Sequence, residues 1–287
     1  MTYQLKNYSE AYLNEQYEIG NNHLTTWLGA QQSPIDRLRD IYSQADFDPE
    51  TKFYALNDEE VVGFITAKPI NDNSANMEFP LIKPGHEAVE EELMQFAFNT
   101  LKNKGISKII SRVSPRWGMT TDYAEKYGYR EKELMWKSGR LVVNSYIQPS
   151  SNTNSIDVAE ADYEEIKKIL ISFRKNTEKE AQKQLDLLTR IAERVTSWKI
   201  VREKDEIIGH DHLVEDIRDN QKARMNAIYS TNDNVRNSIM NAHVQAALAS
   251  NIEFIDIFFW GPTEKMEAPY LDYGFDIGEL FSYEKDL

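Results

Sequence analysis

The sequence predicts a mixed α/β protein made of two tandem copies of one domain, each with a mixed central sheet flanked by helices. Two observations support this fold class. The chain matches itself at an offset of 146 residues, and the same order of strand-like and helix-like segments occurs in both halves. The length of 287 residues suits two domains, since one domain usually takes roughly 100 to 200 residues.

The internal match depends on three anchors that need no gap. Each anchor keeps its apolar character, and together they span a large part of each half, so independent coincidence explains them poorly. The anchors pair Glu60-Val61-Val62-Gly63 with Glu206-Ile207-Ile208-Gly209, Gly128-Tyr129 with Gly274-Phe275, and Glu133-Leu134 with Glu279-Leu280. We interpret the chain as a duplication.

A stretch rich in serine and asparagine separates the two copies. It contains the run QPSSNTNS, which has proline and small polar residues without an apolar period, as is typical of a linker. The sequence therefore predicts a first domain over residues 1–143, a linker over 144–155 and a second domain over 156–287.

Each copy opens in the same way. A strand comes first, TYQLKNY or SIDVAE, and helical stretches follow it: SPIDRLRDIYSQA in the first copy, DYEEIKKILISFRK and EAQKQLDLLTRIAERV in the second. A β-hairpin comes next. Its strands are KFYAL and VVGFITA around Asn57-Asp58-Glu59, and WKIVR and IIGHDHLV around Glu203-Lys204-Asp205.

The second part of each copy also follows one plan. A fourth strand, MEFPLI or MNAIYS, leads through a loop into a long amphipathic helix, EEELMQFAFNTLKNKG or RNSIMNAHVQAALASN. An apolar strand follows, KIISRV or FIDIFFW, and a short helix and a final strand close the copy. We therefore expect each copy to have a mixed central sheet flanked by helices.

Composition narrows the classes of partner. The net charge of -14 opposes binding to nucleic acid or to anionic membranes, which depends on clustered lysine and arginine. An acidic surface could steer a cationic amine, but a net charge far from zero also simply keeps a protein in solution, and we favour this second interpretation. No run approaches the roughly 18 apolar residues of a membrane span, and the start, MTYQLKNYSE, lacks the features of a signal peptide, so we expect a cytoplasmic protein. The absence of cysteine excludes an acyl-cysteine intermediate and thiolate metal ligands.

The order of elements resembles the GNAT superfamily of N-acyltransferases, whose domains end in a pattern like Tyr-x-x-x-Gly-Phe. That pattern is present from Tyr270 to Phe275, and a weaker version runs from Ala124 to Tyr129. The resemblance covers nearly the whole chain twice, and tandem GNAT proteins of the mycothiol-synthase-like type have a similar plan. It implies direct acyl transfer, from acetyl-CoA or another acyl-CoA to a small-molecule primary amine, without a metal.

In this family the CoA diphosphate binds at the N-terminus of the central helix, after an Arg/Gln-x-x-Gly-x-Gly/Ala motif. Neither copy has that motif. The second copy has small polar residues and an arginine there, so the resemblance implies cofactor contacts from Asn234, Val235, Arg236, Asn237 and Ser238. The first copy has carboxylates instead, and Glu90 corresponds to Arg236. We expect the first copy to be degenerate, although its glutamates also suit helix capping and Arg236 also suits a solvated surface position.

The resemblance also implies catalytic residues. Tyr270 occupies the position of the tyrosine that gives a proton to the departing thiolate, where the first copy has Ala124. His210 and His212 share one face of a predicted strand, and His212 is the candidate base. Packing of Tyr270 and a structural pair of histidines are the alternatives. A carboxylate base often lies on the fourth strand, where the first copy has Glu78 and the second copy has Arg224, which cannot serve and leaves a water relay open.

In the same family the acyl-CoA arm pairs with the fourth strand, which implies backbone contacts from Ala227, Ile228 and Tyr229. Two rival functions stay open. Both copies could have lost catalysis, which would leave a noncatalytic ligand-binding or assembly protein. A metal-dependent hydrolase using His210 and His212 is the third possibility, but the sequence offers no carboxylate at a convincing spacing.

Overall fold

The computed structural model describes residues 2–30 and 32–287, which form two compact units. Unit 1 comprises the described residues up to Met135 together with Glu279–Leu287, and unit 2 comprises Trp136–Gly278. Each unit has a mixed sheet with helices packed on it. Among the described residues, no helix combines the length and the apolar character needed to cross a membrane.

The first copy contains four helices and seven strands among its described residues. In chain order these are β1 (Gln4–Asn7), α1 (Leu13–Leu24), α2 (Ile35–Tyr42), β2 (Lys52–Asn57), β3 (Glu60–Asn71), β4 (Ser74–Met77), β5 (Leu81–Ile82), α3 (Glu90–Asn103), β6 (Lys108–Val113), α4 (Thr120–Lys126) and β7 (Arg130–Val142).

The second copy repeats this order. Its elements are β8 (Ile156–Asp157), α5 (Tyr163–Arg174), α6 (Glu178–Arg190), β9 (Val195–Glu203), β10 (Glu206–Asp216), β11 (Asp219–Asn226), β12 (Tyr229–Ser230), α7 (Asp233–Ala249), β13 (Phe254–Phe259), α8 (Ala268–Asp272) and β14 (Asp276–Asp286). Strands β3 and β10, β6 and β13, and β7 and β14 begin at the 146-residue offset. The duplication predicted from the sequence is therefore present in the fold.

The two sheets have matching strand orders. The sheet of unit 1 runs β1-β2-β3-β4-β6-β14, with β5 beside β3, and that of unit 2 runs β8-β9-β10-β11-β13-β7, with β12 beside β10. In each sheet one central pair is parallel, β4 with β6 and β11 with β13. Helix α3 lies between β4 and β6 in the chain, and α7 lies between β11 and β13, so each parallel pair is joined by a helical crossover.

The final strand of each copy pairs in the sheet of the other copy, which the order of elements in the sequence did not indicate. Strand β14 pairs with β6 through Phe281–Asp286, whereas residues 137–142 of β7 pair with β13. Tyr283 and Leu287 pack against the core of unit 1. The compact units therefore differ from the predicted boundaries at 143 and 156, because each last strand finds its backbone partners in the sheet of the other copy.

Residues 144–155, predicted as a linker, belong to unit 2 and lie along helix α7. The side-chain amides of Asn237 and Asn241 donate to the carbonyl oxygens of Ser150 and Pro149, at 3.1 and 3.3 Å. The Ser151 hydroxyl donates to the carbonyl of Asn234 at 2.9 Å. The polar composition that suggested a free connection instead supplies hydrogen bonds to a helix.

Candidate active site

The predicted fourth strand of the second copy is broken into two. Strand β11 pairs with β13 as far as Asn226, which lies opposite Phe258. The chain then leaves β13, and Tyr229 in β12 pairs with His210 in β10. Ala227 and Ile228 lie where the parallel strands separate. Unit 1 shows the same separation between β4 and β5, so the feature belongs to the duplicated fold.

Tyr270 lies at this separation. Helix α8 places its side chain in the interior, where it is fully buried and contacts the edges of the Phe259, Tyr273 and Phe275 rings. The backbone N–H of Ile228 donates to the Tyr270 hydroxyl oxygen at 2.7 Å. Burial raises the pKa of Tyr270 above its usual value, so the phenol keeps its proton at neutral pH. Two predicted site residues are thus in direct contact.

Arg174, which no pattern in the sequence singled out, covers the neighbouring backbone group. Its guanidinium, at the end of α5, donates to the carbonyl oxygen of Ala227 at 2.8 Å. Burial lowers the pKa of Arg174. The two backbone groups that the resemblance assigns to the acyl-CoA arm, on Ala227 and Ile228, therefore already have side-chain partners. An extended ligand would have to displace both.

His210 and His212 share one face of β10, as predicted, and both are buried. The indole N–H of Trp198 donates to Nε2 of His210 at 2.9 Å, and the side-chain amide of Asn226 lies 3.3 Å from Nε2 of His212. Burial lowers the pKa of His210 to about 3 and that of His212 to about 4. Both rings are neutral at pH 7, which is the protonation state that a base requires.

The opposite face of β10 carries a buried polar cluster. Nδ1 of His243 lies 2.9 Å from the Ser197 hydroxyl, and Nε2 of the same ring lies 3.6 Å from Oδ2 of Asp211. The order of groups is that of a serine hydrolase triad, but all three residues are buried between α7 and the sheet. No substrate reaches Ser197 there, so the cluster has a structural role. The sequence did not reveal it, because its members come from three elements.

Helix α7 begins at Asp233, and its cap residue Asn232 accepts a hydrogen bond from the Val235 N–H at 3.1 Å. An open pocket of about 570 Å³ adjoins this helix end. Its lining residues are Thr153, Arg202, Glu203, Ile208, Asn232, Asp233, Asn234 and Val235. The helix N-terminus favours an anion, whereas the carboxylates of Asp233 and Glu203 oppose one.

The predicted diphosphate residues are distributed unevenly around this helix end. Asn234 is exposed and lines the pocket. The side chains of Val235 and Ser238 are buried in the core, so any contact with a phosphate would have to use their backbones. Asn237 holds the Ser150 carbonyl and accepts a hydrogen bond from the Tyr273 hydroxyl at 2.7 Å. Only part of the predicted set therefore faces the pocket.

Arg236 is neither free nor solvated. Its guanidinium forms an ion pair with Asp233 one turn earlier, and its side chain is only 13% exposed. A hydrogen bond with Tyr273 contributes to raising the pKa of Arg236, against the effect of burial. The positive charge predicted for a diphosphate is thus already balanced by a carboxylate of the same helix.

The equivalent helix end in the first copy uses its carboxylates for structure. Glu87 accepts a hydrogen bond from the Gly85 N–H at 2.9 Å, and Glu90 accepts one from Lys126 at 2.6 Å and another from the Tyr127 hydroxyl. These contacts are structural, but those of Glu90 reach Lys126 and Tyr127, and the cap residue of α3, Val89, makes no side-chain cap hydrogen bond. Ala124, at the position of Tyr270, is buried.

The candidate residues on the two fourth strands form ion pairs. Glu78 accepts hydrogen bonds from Arg112, whereas Arg224 lies 2.9 Å from Asp216 and stacks over the Phe258 ring. Arg224 therefore supplies no base in unit 2. Over residues 2–30 and 32–287, no cluster of three His, Cys, Asp or Glu side chains is placed to hold a metal ion.

Two units, each with a parallel strand pair that separates beside the start of a long helix, define the tandem GNAT fold. Three solved structures with 10% identity match nearly the whole chain. They are an acetyltransferase of the GNAT family from Colwellia psychrerythraea (TM-score 0.64, 98% of this chain and 100% of that one), a tandem GNAT protein from the clavulanic acid biosynthesis pathway (0.62, 99% and 98%), and a GCN5-related N-acetyltransferase from Sphaerobacter thermophilus (0.61, 99% and 95%).

These likenesses confirm the tandem GNAT fold that the sequence predicted. No family model and no curated protein matches the sequence itself.

Proposed function

We propose that the protein is an acyl-CoA-dependent N-acyltransferase whose site lies in unit 2. The reaction carries an acyl group, such as acetyl, from the CoA thioester to a primary amine. One observation supports this most directly: the buried Tyr270 hydroxyl lies at the separation of β11 and β13, in contact with the Ile228 N–H. A proton donor is thus held beside the backbone that a thioester would reach.

Direct transfer requires three events. The neutral amine nitrogen attacks the thioester carbonyl carbon, the carbon–sulfur bond breaks, and the sulfur leaves as a thiolate that needs a proton. The Ile228 N–H uses only a lone pair of the Tyr270 oxygen, so the phenolic proton is left for that thiolate. The raised pKa keeps this proton on the phenol at neutral pH and also makes the phenol a weaker acid, so the proton moves only as negative charge develops on the sulfur.

The backbone around the separation fits an extended acyl-CoA arm. The Ala227 carbonyl and the Ile228 N–H are bonded by side chains instead of by β13. In our proposal the arm replaces Arg174 and Tyr270 as their partner and continues towards Tyr229. Tyr270 is then released from the Ile228 amide at the moment when a substrate is present.

At the other end of the arm, the diphosphate binds at the start of α7. Asn234 lines the pocket, the Val235 N–H is released from its cap residue Asn232, and Arg236 exchanges Asp233 for a phosphate oxygen. A diphosphate carries more charge than one carboxylate, which favours this exchange. Asn237 contributes only if its bond to Ser150 opens.

For the proton that the amine loses, we propose His212. A neutral ring with a pKa of about 4 is a weak base, so it takes the proton only after the new carbon–nitrogen bond has formed, when the nitrogen is most acidic. Water can relay that proton. The acceptor we propose is a small cationic amine, which the charge of -14 attracts.

The test compares two variants at matching positions of the duplication. Acetyl-CoA stabilises the wild-type chain by binding linkage and raises its melting temperature. Arg236→Gln should lose most of that shift, whereas Glu90→Gln should keep it. Each shift is measured against the melting temperature of the same variant without ligand, because both residues hold structural contacts. An unchanged melting temperature of the wild type at millimolar acetyl-CoA would contradict the proposal.

A noncatalytic ligand-binding protein is the second candidate. The bonds from Arg174 and Tyr270 to Ala227 and Ile228, and the pairing of Arg236 with Asp233, favour it because they fill the positions that a cofactor needs. Because these positions are filled, this candidate predicts neither CoA binding nor transfer from [14C]acetyl-CoA to a broad panel of amines, and transfer to any amine of the panel would contradict it.

A further inference from the structure

Unit 1 encloses a cavity of about 260 Å³ that the proposed reaction does not use. It lies between helices α1 and α2 and the sheet, and its lining includes Trp27, Gly29, Ala30, Gln32 and Ser33. Protein interiors rarely leave such space, and an apolar cavity of about 150 Å³ already holds benzene. The cavity is large enough for an aromatic ring with a short polar group.

The walls divide into an aromatic part and a charged part. Trp27 stacks on Trp117 with ring centroids 5.5 Å apart, and Phe64 and Phe79 also line the cavity. Glu78 and Arg112 line it together. A ligand in this space therefore meets apolar rings and both signs of charge.

The ion pair leaves binding capacity on both partners. Nε and Nη2 of Arg112 donate to the same oxygen of Glu78, Oε1, at 3.1 and 2.5 Å. The pair therefore uses one of two carboxylate oxygens and only part of the five N–H donors of a guanidinium. Arg112 also lies over the Trp117 ring, with its central carbon 5.5 Å from the centroid. That contact joins the charged wall to the aromatic wall.

The second copy does not preserve this chemistry. Phe64 and Thr66 line the cavity in unit 1, and the corresponding residues in unit 2 are the buried His210 and His212. Glu78 corresponds to Arg224. The cavity and its charge pair are therefore features of unit 1 that arose after the duplication or were retained only there.

We propose that this cavity binds a free α-amino acid with an aromatic or large apolar side chain. The ligand carboxylate pairs with Arg112, its ammonium pairs with Glu78, and its side chain lies among the aromatic residues of the wall. The proposal does not rest on acyl transfer in unit 2, because it concerns other residues and is measured as binding.

A zwitterion fits better than an ion of one sign. A carboxylate alone would draw Arg112 from Glu78 and leave the glutamate without a partner, and an amine alone would do the reverse to the arginine. The Arg112 and Glu78 side chains are 44% and 38% exposed, so water screens each charge and one ion pair contributes little by itself. A zwitterion replaces one pair with two pairs of opposite charge and leaves no charge uncompensated.

Calorimetric titration of the full chain with three probes tests this selectivity. L-phenylalanine carries both charges, 3-phenylpropionate lacks the ammonium and phenethylamine lacks the carboxylate. We expect saturable binding of L-phenylalanine and at least tenfold weaker binding of the other two. No binding of L-phenylalanine at 10 mM, or equal binding of the three probes, would overturn the proposal.

Variants locate the binding. Glu78→Gln and Arg112→Gln should each weaken the binding of L-phenylalanine at least tenfold. Thr66→Met should weaken it to a similar extent by filling the cavity. Glu60→Gln, which breaks the surface pair with Lys83 away from the cavity, is the matched control and should bind as the wild type does. Melting curves verify that each variant is folded. Binding by folded Glu78→Gln and Thr66→Met at wild-type strength would contradict this site.

Discussion

The Tyr270 hydroxyl has one role in stability and, in the proposed mechanism, another in catalysis. It accepts the Ile228 N–H in a fully buried position, so its removal leaves a buried donor without that partner. Such a loss costs about 1 to 3 kcal/mol. Its phenolic proton is the one we assign to the departing thiolate. The two roles predict separate measurable effects of one substitution.

Tyr270→Phe should lower the rate of acyl transfer by on the order of 100-fold, the usual scale for losing a general acid. The rate is measured by thiol release at saturating acetyl-CoA, and stability is measured by urea unfolding. Tyr273→Phe is the matched control, because it removes a neighbouring hydroxyl bonded to Asn237 and not to Ile228. Equal activity of the two variants would count against the assigned acid.

The buried histidines predict how stability depends on pH. Their pKa values of about 3 and about 4 in the folded chain lie below the value of 6.5 from which burial shifts them. Below pH 6.5 the unfolded chain therefore binds more protons than the folded chain, so the free energy of unfolding falls as the pH falls from 6.5 towards 4. At pH 5 the loss is on the order of 2 kcal/mol for each histidine.

Urea unfolding between pH 7 and 4.5 checks this dependence. The variants His210→Gln and His212→Gln should each reduce the dependence of the free energy of unfolding on pH. His23→Gln, at the half-buried end of α1, controls for the loss of one histidine. A slope unaffected by both buried substitutions would show that other groups govern the acid sensitivity.

For single residues, the sequence predicted the place of a side chain in the fold better than its hydrogen-bond or ion-pair partner. The tyrosine of the Tyr-x-x-x-Gly-Phe pattern and the shared face of His210 and His212 follow from local spacing, and the structure shows both. The contacts of Arg174 with Ala227 and of Arg236 with Asp233 could not be predicted, since they depend on where a helix ends and which rotamer a long side chain adopts.

Among the elements, the packing of α7 on β10 depends on one glycine. A Cβ built on Gly209 would lie 2.2 Å from Cγ1 of Val235 and 3.0 Å from Cδ1 of Ile239. Both residues are on the buried face of α7, near the end that adjoins the open pocket. The glycine therefore sets how closely the helix start approaches the sheet.

Gly209→Ala should force α7 outward and destabilise unit 2 by about 1 to 3 kcal/mol through overpacking. It should also weaken acetyl-CoA binding, because the helix start moves. Gly63→Ala is the matched change in the other copy. A Cβ built on Gly63 would lie 3.1 Å from its nearest neighbour, Cγ1 of Ile82, so this substitution should lower the free energy of unfolding less than Gly209→Ala does. Urea unfolding and the acetyl-CoA melting shift measure the two effects, and equal costs would contradict this account.

The elements were predictable wherever one pattern governed a whole segment. The long helices and the strands β6 and β13 match the sequence periodicity. Helix α1 was missed because Gly20 and the two asparagines after it interrupt the pattern and a polar residue, Gln16, lies on the buried face. There Gln16 is bonded to Tyr42 and Tyr54. The fourth strands were predicted unbroken, since their separation from the neighbouring strand is a tertiary feature.

For the whole molecule, the exchanged strands make each sheet depend on residues from both halves of the chain. Removing Glu279–Leu287 deletes one of the two strands that pair with β6 and leaves β4 as its other neighbour, although β14 is far from β6 in sequence. Hydrogen exchange should then accelerate in Lys108–Val113 of unit 1. Phe254–Phe259 of unit 2, which pair with β7, are the internal control and should stay protected. If the amides of β13 lost their protection from hydrogen exchange before those of β6, the pairing of β14 with β6 would be contradicted.

Local sequence patterns could not predict this exchange. The two final strands are related by the duplication, so each carries features suited to either sheet, and the offset alone says nothing about which edge each one pairs with. Choice between the edges depends on long-range strand pairing.

The exchanged strands also impose an order on biosynthesis. When β13 leaves the ribosome, its partner in β7 is already available, whereas β6 waits with an open edge until β14 emerges. The half of the protein made first is thus the half finished last, contrary to the usual progression of folding from the N-terminus. A nascent chain halted before Glu279 would display an unpaired strand, the surface through which incomplete proteins aggregate and which chaperones must shield.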